Sequence, residues 1–274
     1  MVEIKNLSKN FGKKEAVRNL SCSFDIGVYG LLGQNGAGKT TLIRCMLELY
    51  PHKGEILLGN VEDKQNAYKI GYLPQKNSVF SGLTVEEHLH YFANLKCMEK
   101  DKISGEIDRV LELVNLSEYR KQKGRKLSGG MIRRLGIAQA LLNKPELVIF
   151  DEPTTGLDPE ERMRFKNIIR RIGKESVVIM STHIVEDVEA VCDQILIMKD
   201  GEILATGTQE DISHLAEGKV YEIPRESQED SCYVEKEFLI DGVEMVRILT
   251  NQTMNTGAVK PTIEDGYMCV LKGI

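Results

Sequence analysis

Apolar and polar positions alternate in part through VEIKNLSKNFG, and again through KKEAVRNLSCSF after a short turn. Two strands are expected there. GVYGLLG is a short apolar run closed by glycine, the pattern of a buried strand feeding a loop. In TTLIRCMLELY the period lengthens: Leu42, Cys45, Met46 and Leu49 fall three or four apart, which predicts a helix. EILLGN and KIGYLPQ read as two further short strands. Strand signals then fade over residues 82–122. LTVEEHLHYFANLK and ISGEIDRVLELVNL are amphipathic helix patterns, and Thr84 stands three residues before Glu87, the spacing of a capping box.

KLSGG opens the next helix, IRRLGIAQALLN. The strand ELVIFDEP, the helix MRFKNIIRRIG, the strand SVVIMSTH and the helix VEDVEAVC follow in turn. DQILIMKDGEILATG is a hairpin turning on Lys199, Asp200 and Gly201. Alternating strands and helices imply an α/β domain with a largely parallel core sheet. Residues 76–126 interrupt it as a helical insertion. Beyond Glu217 the pattern loosens into KVYEIP, CYVEKEFL, EMVRILT and YMCVLK, all strand-like, among more acidic than basic residues. The organisation expected is one large unit over residues 1–218 and a small β-rich accessory domain over 219–274.

Charge and composition narrow the chemistry. A net charge of -5 and a pI near 5.7 do not describe a generally basic nucleic-acid binder, and no nucleic-acid partner is expected. No apolar run approaches the ~18–20 residues that span a bilayer. The first residues, MVEIKNLSKNFGKK, are too polar for a signal peptide. A cytoplasmic protein is expected, working at a membrane only through a partner. Cys22, Cys45, Cys97, Cys192, Cys232 and Cys269 are scattered without metal-ligand spacing and read as reduced thiols.

GQNGAGKT, Gly33–Thr40, fits G-x-x-x-x-G-K-[ST] between a strand and a helix. Its glycines let successive backbone N–H groups wrap a phosphate, and the helix adds its positive end. Lys39 reaches the β- and γ-phosphates, and Thr40 offers a hydroxyl to Mg²⁺. Asp151 closes the buried strand LVIFD, at the sheet edge where open α/β folds bind ligands. It is the natural carboxylate for Mg²⁺. Glu152 points elsewhere and is placed to polarise a water against the γ-phosphate. His183 ends the next strand, to contact the γ-phosphate or orient that water. Gln75 ends KIGYLPQ, where its amide oxygen can ligand Mg²⁺ at the entry to the helical insertion. In KLSGG, Ser128 suits a helix N-cap, and Gly129 and Gly130 expose amides to an anion. That makes two anion sites and one hydrolytic set. The simpler geometry is that KLSGG meets the nucleotide of another molecule.

Together these residues resemble the ATP-binding cassette family over roughly residues 1–218. GQNGAGKTT resembles its Walker A, LPQ its Q-loop, LSGG its signature, LVIFDE its Walker B, EPTTGLDP contains its D-loop, and STH its switch histidine. The resemblance implies a P-loop NTPase core sheet with an antiparallel β subdomain beside the helical insertion. It also implies ATP as substrate, with Mg²⁺, in a head-to-tail dimer with a second copy. ATP would lie between Gly33, Gln34, Asn35, Gly36, Ala37, Gly38, Lys39, Thr40 and Thr41 of one subunit and Ser128, Gly129 and Gly130 of the other. Phe11 falls where the family stacks an aromatic on adenine; the alternative is a core residue beside the first turn. Met131 departs from the polar residue usual after LSGG, a position that contacts the ribose or lines the dimer seam. FDIGVYG lacks the usual lysine-glycine-glutamate turn.

PTIEDGY, Pro261–Tyr267, resembles a tail motif of two-component drug, peptide or antibiotic exporters, with Ile263 in place of leucine. The function implied is an ATP-hydrolysing subunit that powers a separate integral membrane permease for export of a drug, peptide or other small amphiphile, with LTVEEHLHYFANL offering a docking groove or a plain helix-packing core. The alternatives are an importer ATPase, or a soluble cassette ATPase acting on ribosomes or DNA. The latter usually carries two cassettes or long coiled coils, which this chain lacks. Asn143-Lys144-Pro145-Glu146 fails as a guanine-reading motif, because it follows a helix and ends in Glu. It reads as a helix stop.

Overall fold

A computed structural model describes residues 1–59, 70–76, 78–228, 232–254 and 257–274. Asn60, Lys69 and Asn77, at the edges of the expected β-strands and in the helical insertion, lie outside the described residues. A six-stranded sheet runs in the order β5 (Ile70–Leu73), β6 (Leu147–Asp151), β7 (Val177–Thr182), β3 (Gly27–Leu32), β8 (Gln194–Lys199), β9 (Glu202–Gly207). Its pairs are parallel except the β8–β9 hairpin. That hairpin turns where expected, with Asp200 and Gly201 both at positive φ.

Both faces of the sheet are buried, as parallel sheets require. Along β6 the side chains alternate: Val148 and Phe150 enter the core beneath the helices, while Leu147 and Ile149 enter the core on the other face. The second core is closed by α1 (Lys39–Met46) and by an antiparallel sheet in the order β2 (Lys14–Phe24), β1 (Val2–Phe11), β4 (Lys53–Leu58). The first core joins α2 (Val85–Leu95), α3 (Lys100–Leu113), α4 (Gly129–Ala140), α5 (Pro159–Ile172) and α6 (Val185–Val191). The Thr84–Glu87 capping box forms as its spacing predicts: the Thr84 hydroxyl accepts from Glu87 N, and Thr84 N donates to the Glu87 carboxylate.

The C-terminal region holds a short helix α7 (Gln209–His214), which the sequence pattern did not suggest, and an antiparallel sheet ordered β10 (Val220–Pro224), β12 (Val243–Leu249), β11 (Tyr233–Ile240). YMCVLK, expected as a strand, belongs instead to the helix α8 (Ile263–Lys272). Thr262 and Asp265 form its capping box, and Ile263, Tyr267 and Leu271, four apart, enter the core of the large sheet. Lys199 Nζ ties its far end by donating to the Leu271 carbonyl at 2.7 Å. Gly266 lets α8 approach α7: a Cβ there would stand 1.8 Å from the Ile212 carbonyl oxygen.

Arg247 on β12 joins the small sheet to α8. It donates to both Asp265 carboxylate oxygens at 3.0 and 2.7 Å, and to Glu222 on β10 at 2.6 Å. Glu235 on β11 sits 3.4 Å from the same guanidinium. Burial, and after it the Asp265 carboxyl, nonetheless push the Glu235 carboxyl up to about 8 from 4.5.

Two outcomes follow from this packing. Gly266→Ala drives a methyl into backbone, so it should destabilise the chain by about 2 kcal/mol or more in urea unfolding. The raised Glu235 means that the folded chain holds its proton longer than the unfolded chain. Stability therefore falls as pH climbs from 4.5 through about 8. Glu235→Gln should match the parent near about pH 5 and exceed its denaturation midpoint near about pH 9.

Candidate active site

Strand order brings the chemistry together. β5, β6, β7 and β3 are consecutive neighbours, so their carboxyl ends emerge side by side. Leu73 pairs with Phe150, Asp151 with Ser181, and Leu32 with Thr182. The residues that follow, Gln75, Glu152, His183 and the loop from Gly33, open on one edge.

The loop between β3 and α1 is pinned on both sides. Gly33 N donates to Thr182 O at 3.2 Å, and Gly201 N donates to Ala37 O at 2.8 Å. Gly38 has φ +110°, and a Cβ there would meet the Ala16 carbonyl oxygen at 2.5 Å, so only glycine fits. Lys39 is buried at the base of the loop. Its ammonium donates to Gly33 O at 2.5 Å and Gln34 O at 3.3 Å, and lies 3.4 Å from Glu152 Oε1.

Glu152 is the hub of the polar cluster. It adopts a left-handed backbone, φ +49°, rare for a residue with a long side chain. That twist redirects its side chain from the line of Asp151. Its amide donates to Ser181 Oγ at 3.0 Å. Its Oε2 receives Thr155 Oγ1 at 3.2 Å and lies 2.7 Å from His183 Nδ1. Asp151 Oδ1 accepts from Ser181 Oγ at 2.7 Å and from Thr40 Oγ1 at 3.3 Å. A carboxylate thus holds the hydroxyl that begins α1, beside a second carboxylate bridged to an ammonium and an imidazole. Such a set can bind an anion, hold a hard cation on oxygen atoms, and accept a proton.

A cleft of about 240 Å³ collects most of the expected residues: Phe11, Gln34, Asn35, Gly36, Gly38, Lys39, Thr40, Thr41, Gln75 and Glu152 all line it. Gly33 and Ala37 lie in the same loop. Phe11 is 46% exposed, so it is a rim residue and not a core one. Its ring meets Tyr50 edge-on at 5.4 Å and carries Lys9 Nζ 4.8 Å above it. Ser128, Gly129 and Gly130 do not line the cleft. They begin α4, where Ser128 Oγ accepts from Met131 N at 3.2 Å and keeps its own proton to donate.

Met131 follows them. Its side chain is buried in the main core. Two residues that sequence reasoning passed over also belong here. Lys14 lines the cleft beside Phe11, and the turn that joins the first two strands was its only signal. Arg133 lies buried behind the site, donating to the carbonyls of Pro74, Gln75, Asp151, Glu152 and Pro153. Burial pushes its guanidinium down to about 10, with Asp151 opposing the change. Nothing in the local pattern marks it, since an arginine on a helix is ordinarily solvated.

Known proteins resemble this chain. The ABC transporter family profile matches residues 17–155. YxlF of Bacillus subtilis, described as an uncharacterized ABC transporter ATP-binding protein, is 38% identical over 242 residues, covering 87% of this chain and 81% of its own. The linearmycin resistance ATP-binding protein LnrL of the same organism is 39% identical over 219 residues, covering 77% and 70%. The Nod factor export ATP-binding protein I of Burkholderia orbicola is 34% identical over 213 residues, covering 75% and 70%. A solved ATP binding subunit of an ABC transporter superposes with a TM-score of 0.69 at 27% identity, over 78% of this chain and 92% of that one. With the phosphate loop, paired acids and histidine on one sheet edge, the chain belongs to the ABC transporter family, as one of its ATP-binding, ATP-hydrolysing subunits.

Proposed function

We propose that this chain works as a pair of identical copies that power a separate membrane permease, and that the cargo is exported. The observation that carries the catalytic part is the buried Lys39–Glu152 pair beside the phosphate loop, with the exposed His183 ring on the same carboxylate. One copy contributes Gly33–Thr41 around the phosphates of ATP, and Phe11 beneath the adenine. The other contributes Ser128, Gly129 and Gly130, whose hydroxyl and amide donors are turned out of their own cleft. One chain then lacks half of each site, which accounts for a second anion-binding turn so far from the first.

Within a site, Lys39 neutralises charge on the β- and γ-phosphates. Glu152 accepts the proton of the attacking water as it adds to the γ-phosphorus, and ADP leaves. His183, as the Nδ1–H tautomer, donates to Glu152 Oε2 and holds that carboxylate in position. The oxygen donors Thr40, Asp151 and Gln75 fit Mg²⁺, a hard cation that keeps water and phosphate ligands. The ion would supply charge neutralisation along the phosphates.

The permease contact is assigned to residues 76–126. Phe80 and Tyr91 are exposed there, packed edge-on at 5.2 Å, and offer an apolar face for a helix. Among the described residues no helix is long and apolar enough to cross a membrane, and in this reading the partner supplies the span. The export direction is supported by relatives named for linearmycin resistance and Nod factor export. The working location is then the cytoplasmic face of the membrane. Residues 1–218 form the ATPase unit and 219–274 an accessory unit fastened by α8.

Glu152→Gln should bind ATP normally, slow hydrolysis by about 10²- to 10⁴-fold, and accumulate as an ATP-dependent dimer in size-exclusion chromatography. Hydrolysis at the parental rate would remove Glu152 as the base. Co-expressed with the membrane-protein genes that neighbour its own, the chain should sediment with membranes and resist low-salt washing. Recovery in the soluble fraction under those conditions would sink the permease reading.

A further inference from the structure

We propose that Arg133 is a positioning residue that couples the two half-sites one chain carries. The inference rests on the two-copy reading above. Arg133 sits on α4, whose first residues, Ser128, Gly129 and Gly130, complete the nucleotide site of the other copy. Its guanidinium reaches away from that end, to the backbone behind the chain's own site. Nε donates to Pro153 O at 3.0 Å. Nη1 donates to Pro74 O at 2.7 Å and Gln75 O at 3.1 Å. Nη2 donates to Glu152 O at 3.1 Å and Asp151 O at 3.4 Å.

A guanidinium has five N–H groups, and five carbonyls take them. The carbonyls come from two separate segments: the exit of β5, which carries Gln75, and the exit of β6, which carries Asp151 and Glu152. Their oxygens are partly negative and crowd one buried point, so they would repel one another without a cation between them. No carboxylate bonds the guanidinium directly among the contacts above. The charge is therefore spent on holding main chain, and the main chain it holds bears the residues assigned to metal, water and proton.

The consequence is mechanical. A backbone shift at Gln75 or Glu152 as nucleotide is engaged loads Arg133, and Arg133 is rigidly part of α4. The same helix is tied to α5 through Arg134, whose Nε lies 3.2 Å from Glu161 Oε2. Closure of the signature turn on the partner's ATP and alignment of Glu152 on the chain's own ATP thus share one fastening. Lysine at this position keeps the charge but offers three donors from a single atom, too few to span both segments.

The test uses the full chain with Arg133→Lys and Arg133→Gln. Melting temperature, kcat and KM for ATP are measured, together with ATP-induced dimerisation of each variant in the Glu152→Gln background. The expected result for Arg133→Lys is a fold within about 4 °C of the parent. Its kcat should fall about 10²-fold, as when a catalytic group is misplaced by an ångström. KM should stay within about threefold, since the phosphate loop itself is untouched. Dimerisation should need more ATP. Arg133→Gln should behave likewise and lose more. Parental kcat in Arg133→Lys would overturn the proposal while leaving the two-copy reading intact. Loss of activity only in step with loss of folded protein, in both variants, would overturn it too, because Arg133 would then be glue alone. Failure of Glu152→Gln with Arg133 intact to dimerise on ATP would instead bring down the underlying two-copy reading.

Discussion

Parallel pairing of β5, β6, β7 and β3 is the constraint on which the rest of the site depends. Each strand must leave the sheet on the same edge, and each pair is held in register by its ladder, so Asp151 faces Ser181 and Leu32 faces Thr182. A one-residue slip in β6 would turn Phe150 and Val148 out of one core and Ile149 and Leu147 out of the other. Because both faces are buried, that slip is forbidden from both sides at once. The hydrophobic pattern of a strand remote from any ligand thereby sets where two carboxylates stand.

The polar cluster that results is expensive to keep. Lys39 and Glu152 are buried as an ion pair, and Glu152 adds a left-handed backbone that a β-type residue would avoid. Buried ion pairs often contribute nothing net to stability, since desolvation offsets the attraction. The neighbours answer that cost locally: Gly33 and Gln34 carbonyls on Lys39, and Thr155 and His183 on Glu152. A fold selected for stability alone would have filled this edge with apolar side chains. Strain and buried charge at the one place where phosphate amides, hydroxyls and a histidine converge are better explained by chemistry than by packing.

What the sequence made legible follows the range of the forces involved. The phosphate loop, the strand ends at Asp151 and His183, and the Thr84 capping box are local patterns, each written within a few residues. The tail helix was hidden because Tyr267, Cys269 and Leu271 alternate as a strand would, whereas the face it buries is Ile263, Tyr267 and Leu271. Thr262 and Asp265 had the spacing of a cap that would have decided it. Met131 departs from a usual polar residue, and its apolar chain goes inward to the core beneath α4. Arg133 was not legible, since its partners are main-chain carbonyls from segments far from it in sequence, and carbonyls leave no mark in a side-chain pattern.

These two readings of α4 belong together. A helix whose first turn must present bare amides cannot use bulky or charged side chains there to hold itself in place. Its N-terminal residues are Ser128, Gly129 and Gly130, with the least side chain available for packing. Anchorage must come from the next turn, where Met131 inserts into the core while Arg133 and Arg134 bind carbonyls on either side. Apolar burial at Met131 fixes depth but resists rotation weakly, because dispersion contacts are non-directional. Hydrogen bonds from two arginines fix orientation, and orientation is what an anion-binding helix end requires. The residue that departs from the family pattern and the arginine two positions on therefore solve one problem under the proposed two-copy reading, the aiming of a bare helix terminus.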